Sequence, residues 1–176
     1  MTASRHLRPL LAGLALAALA ACVPGPPADV SGQPVRFRED YSSARAALES
    51  GRHDQAAAHY ARLLDHAGPL EPRIRLEYAH ALLRGGRMAE ASQNARRVAL
   101  AQTGMLRSAA LAVQGTAEHE LALAALARNA GKAEVTGHLA AAETALADAL
   151  AKHGGMDPTG GLQRRLEEIR RTRAAL

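Results

Sequence analysis

Beyond about Asp40, apolar residues recur three and four positions apart, and glycines punctuate the runs. That spacing predicts amphipathic helices. Leu63, Leu64, Leu76, Leu82 and Leu83 form the apolar stripe of the first half. Two stretches share one layout: Ala46 to Tyr60 around Gly51, and Ala81 to Ala95 around Gly86. Gly51 aligns with Gly86, Arg52 with Arg87 and Ala56 with Ala91, a period of 35. Gly takes the left-handed conformation that closes a helix without steric cost. Ala56 and Ala91 fall where two helix backbones must approach closely. Pro69 and Pro72 break the chain between these units. A long helix is expected from about Met105 to Arg128, an enlarged turn from Asn129 to Thr136, and another helix from Gly137 to Leu150. Gly154 to Pro158 ends that helix. In the last stretch, Leu162, Leu166 and Ile169 share one face, with Arg and Glu opposite.

The repeating stretches resemble tetratricopeptide (TPR) repeats. In that family helix A ends at a Gly, and a short polar turn leads to an Ala that opens helix B. Gly51 to Ala56 and Gly86 to Ala91 follow this order. Tyr60 falls where the family places an aromatic on helix B, and Tyr78-Ala79 takes the Leu-Gly packing position. Gly137, Leu139, Ala142, Leu146, Ala149 and Leu150 match a third helix B, whose helix A is irregular. The resemblance implies an all-α, TPR-like helical-repeat domain (an α-solenoid) over residues 38–158, with residues 159–176 as a C-terminal capping helix. Stacked units bury faces that one helix pair cannot, and end units need polar outer faces. The alternative is a generic antiparallel bundle.

The N-terminus reads differently. Arg5 and Arg8 precede Leu10 to Ala21, an unbroken run of Leu, Ala and one Gly. Its twelve residues fall short of the roughly 20 a membrane-spanning helix needs. A basic start, a short apolar core and small residues at its end describe a signal peptide. Leu19-Ala20-Ala21-Cys22 resembles the lipobox of bacterial lipoproteins at all four positions, and Cys22 is the chain's one cysteine. The resemblance implies cleavage of residues 1–21 and lipidation of Cys22. Val23, not Asp, follows the Cys, which in that family implies sorting to the inner leaflet of the outer membrane, facing the periplasm. Residues 22–37 then form the lipidated Cys and a tether. Four Pro and two Gly lie among residues 23–35, enough for about 40 Å of extended reach at ~3.1 Å per residue.

Composition narrows the function. Ala supplies 42 of 176 residues, and aromatics only 2%. β-architectures rely on the β-branched and aromatic residues that are scarce here. The formal charge of +5 falls to +3 without Arg5 and Arg8. Without aromatic platforms for base stacking, no nucleic-acid partner is expected. His53, His59 and His66 cluster in one unit, with His59 and His66 seven apart on one helix face, but zinc needs three or four converging ligands. Glu118-His119-Glu120 points its side chains about 100° apart along a helix, and Leu123 occupies the place of the second His of an HExxH motif. No metal, cofactor, small-molecule substrate or catalytic residue is expected. The expected function is a membrane-anchored TPR lipoprotein, an adaptor that docks another envelope protein in envelope, pilus or secretion assembly. Alternatives are a pilotin-like chaperone for one secretin-type subunit, or a helical-bundle lipoprotein of cell-wall maintenance. Helix A of a TPR unit faces the groove, so Arg75, Tyr78 and Arg84 are the candidate protein-binding residues.

Overall fold

The computed structural model describes residues 33–176. The expected signal peptide, Cys22 and the first part of the tether lie outside these residues. The described chain is all-α, with seven helices and no strand. They are α1 Gln33–Glu49, α2 His53–Leu64, α3 Glu71–Arg84, α4 Met88–Ala101, α5 Gly104–Ala127, α6 Lys132–His153 and α7 Gly161–Ala175. Single 3-10 turns at Gly68–Leu70 and Gly154–Met156 lead into α3 and out of α6.

The expectation of tether through residue 37 is corrected, because α1 already begins at Gln33. Pro34 is its second residue, where a helix N–H has no intrahelical acceptor and its absence costs nothing. His53 is the first residue of α2. His66 lies beyond the end of α2, so it does not share a helix face with His59.

One turn geometry recurs between paired helices. At Gly51 (φ 77°), the Arg52 N–H donates to the Ala47 carbonyl at 2.9 Å and the Gly51 N–H to Leu48 at 3.1 Å. At Gly86 (φ 79°), Arg87 donates to Leu82 at 2.9 Å and Gly86 to Leu83 at 3.2 Å. This paired bonding closes a helix end through one left-handed residue. The same pattern occurs a third time at Asn129 (φ 53°), where Ala130 donates to Ala125 at 2.9 Å and Asn129 to Leu126 at 3.0 Å. Asn is the residue besides Gly that adopts this conformation most readily.

The expected enlarged turn from Asn129 to Thr136 is therefore corrected. Helix α6 starts at Lys132, and the Thr136 hydroxyl bonds back to the Lys132 carbonyl at 2.9 Å. The added length of the third pair is divided between α5, 24 residues long against 14 for α3, and α6, 22 residues long against 14 for α4. Gly137 is interior to α6, with open space around it.

Each helix packs on its sequence neighbours, and α5 also touches α3 and α7. Arg45 of α1 reaches Glu77 of α3 at 3.4 Å. The odd-numbered helices thus adjoin one another, while none of the extensive packings joins two even-numbered helices. Small residues allow close approach: Ala56, Ala91, Ala95, Ala117 and Ala142 are fully buried. Buried positions 56, 60 and 63 of α2 recur as 91, 95 and 98 of α4, and as 135, 139 and 142 of α6. Leu166 and Ile169 bury α7 against the α5–α6 pair.

Candidate functional site

The face of α3 opposite its core side carries the most evident polar stripe. Ile74, Ala79, Ala81 and Leu82 are buried. Arg73, His80 and Arg84 are exposed, with Glu77 half-buried beside them. The intervals of four, three and four residues place this set along one stripe. Arg45 joins it from α1 through its bond to Glu77 and a second to Glu49 at 2.8 Å. Desolvation by the surrounding helices lowers the pKa of His80 although part of its ring meets water. Arg84, Arg45 and His53 push the same way and Glu77 opposes. His80 is therefore kept neutral to a lower pH than an ordinary histidine.

The three predicted binding residues separate. Nine positions of an α-helix turn through about 180° net, so Arg84 projects opposite Arg75. Arg84 is exposed and has no ion pair among the described residues. Arg75 points toward α4, pairing with Glu71 and donating to the Asn94 side-chain oxygen at 2.9 Å. With Arg97, Val98 and Ala101 it lines a cleft of about 250 Å³ between the two helices. Tyr78 is half-buried and packs on the core formed mainly by α1, α2 and α3. His80 was missed by sequence reasoning, although its spacing from Arg84 was a readable signal.

A second polar grouping crosses the helices behind this face. Glu118 of α5 accepts from the Ser92 hydroxyl of α4 and from His138 Nδ1 of α6, the latter at 2.7 Å. The carboxylate sits between Ser92 and His138. Its chemistry is that of a clasp joining three helices. Sequence separations of 26 and 20 residues hid it from motif reading.

Beside the clasp, His119 is 1% exposed. Arg165 of α7 bonds His119 Nδ1 at 2.9 Å and donates to Glu120 at 2.7 Å. Arginine only donates, so Nδ1 must accept and the ring proton sits on Nε2. That Nε2 is buried without a partner. Burial and then Arg165 lower the His119 pKa, against smaller opposing pulls from Glu168 and Glu120. The unfolded chain therefore takes up this proton first, and stability falls as pH drops below about 6.5 toward the lowered folded value. Urea unfolding at pH 8 and pH 5.5 should show this loss in the wild type and a smaller one in His119→Gln. Equal losses in both would assign the acid sensitivity to other groups.

Among the described residues, no three His, Cys, Asp or Glu gather where they could hold a metal ion. No described helix is long and apolar enough to cross a membrane. No protein-family model matches the chain, and neither does any curated protein or solved structure.

Proposed function

We propose that this protein is a lipid-anchored adaptor of the bacterial envelope, built from three TPR-like units and a capping helix. The units are α1–α2, α3–α4 and α5–α6, and α7 is the cap. The single observation that carries the reading is the layer of adjoining odd-numbered helices with a charged stripe exposed on α3. Helix A of each proposed unit belongs to that layer. The recurring left-handed turns at Gly51, Gly86 and Asn129 support equivalent units.

The partner is a segment of another envelope protein laid along this layer. Arg84 and Arg73 offer guanidinium forks for its carboxylates. Because Arg75 is held by Glu71 and Asn94, it shapes the α3–α4 cleft, and Arg84 is the better recognition residue.

The anchor follows from Leu19-Ala20-Ala21-Cys22. Two or three acyl chains hold a protein on a bilayer where one gives only reversible binding. In a bacterial host, metabolic labelling with palmitate should mark the wild type, and Cys22→Ser should lose the label and the cleaved form. A Cys22→Ser chain that still takes label would contradict the anchor.

A further inference from the structure

We propose that the end of the domain nearest the anchor rests on anionic phospholipid headgroups. A groove of about 700 Å³ lies between the first turns of α1 and the C-terminal end of α2. Phe37, Leu63 and Leu70 give it an apolar lining, and Arg36, Arg38 and Arg62 surround them. Asp40 is the one acid on its wall, and His66 adds positive charge when protonated.

The three guanidinium groups keep their charge available. All three residues are exposed. Arg62 donates to the neutral acceptor His59 Nδ1 at 2.8 Å. Neither Arg36 nor Arg38 has an ion pair among the described residues. Two large aliphatic residues are left in water here, Val35 at 51% and Leu70 at 50% exposed. Arginine pairs with phosphate through parallel hydrogen bonds. Exposed aliphatic side chains gain from entering the boundary between headgroups and acyl chains. The groove offers both contacts at once.

Its place in the chain favours a bilayer over an acidic protein segment. The lipobox Cys22 precedes Gln33, the first residue of α1, by eleven residues. Eleven residues span at most about 35–40 Å. An acylated Cys22 would hold the groove within that distance of the headgroups, making the encounter intramolecular. Juxtamembrane basic residues are drawn to anionic lipid over about a Debye length. This step rests on the anchored reading, but its test does not.

The test uses the mature chain, residues 22–176, carrying Cys22→Ser and therefore no lipid. Co-sedimentation is measured with vesicles of phosphatidylcholine alone and with one-third phosphatidylglycerol, at 50 mM salt. Retention should be at least threefold greater on the anionic vesicles and should fall steeply at 300 mM salt. The triple variant Arg36→Ala, Arg38→Ala, Arg62→Ala should lose the preference. A control that removes equal charge elsewhere, Arg96→Ala, Arg97→Ala, Arg171→Ala, should keep it. Circular dichroism checks that both variants remain folded.

No preference for anionic vesicles, or equal loss in the control, overturns the proposal. So does an unchanged preference in the groove variant. A crosslinker at Phe37 that captures an acidic protein in cells while vesicle binding is absent would assign the groove to that protein instead. Failure here leaves palmitate labelling of Cys22 unaffected, and failure of labelling leaves this result readable.

Discussion

Leu146→Ala should lower stability by about 2–5 kcal/mol, the range for emptying a packed Leu site. Leu146 is fully buried in the core shared by α5, α6 and α7. It also fills the space where α6 crosses Gly115 of α5. A Cβ at Gly115 would lie 2.7 Å from Leu146 Cγ, 2.9 Å from its Cδ2 and 3.1 Å from the Ala142 carbonyl oxygen. Gly115→Ala alone should therefore destabilise, because overpacking of about 1–3 kcal/mol exceeds the up to ~1 kcal/mol gained in helix propensity. The two substitutions together should cost less than their sum, since Leu146→Ala removes the atoms the new methyl meets. Urea unfolding of the four proteins in this cycle measures the coupling. Strict additivity would contradict the contact.

Tyr60→Ala should cost about 3–5 kcal/mol, while Tyr60→Phe should cost nothing or stabilise slightly. Tyr60 is fully buried between α1, α2 and α3. Its ring meets Tyr41 edge to face, with centroids 6.3 Å apart at 68°. Such a pair contributes about 0.5–1.5 kcal/mol beyond burial, and Phe retains it. The hydroxyl, by contrast, is buried without a hydrogen-bond partner. Burial, with Glu77 and Tyr41 behind it, drives the phenol pKa far above its ordinary value, so the group stays neutral. Thermal melts of both variants test the asymmetry. A loss above 1 kcal/mol in Tyr60→Phe would mean that the hydroxyl is satisfied.

Local signals carried most of the helical architecture. Gly51 and Gly86 mark helix ends because only a residue free to take positive φ closes a helix this way, and that freedom is written in the residue type. Asn129 closes α5 by the same geometry, but Asn also occurs in ordinary polar turns. The third turn therefore looked longer than it is, and Gly137 looked like a boundary. The start of α1 was misplaced because Pro34 reads as a breaker, whereas at a helix's first turn it is compatible.

The candidate site was legible in part. The helix bearing Arg84 was readable from periodicity, as was its angular separation from Arg75. The bond from Arg75 to Asn94, 19 residues away, depends on how α3 crosses α4, which no local spacing encodes. The Arg165–His119 contact spans 46 residues and two helices. Only packing brings it about.

The adaptor reading turns on which face meets a partner. A photo-crosslinking residue at position 80 or 84 on α3, or at 93 or 96 on α4, is introduced into the anchored protein in living cells. All four positions are exposed. One discrete adduct should form from positions 80 and 84, and none from 93 and 96. The same adduct from the α4 positions, with none from α3, would contradict recognition along the layer of odd-numbered helices.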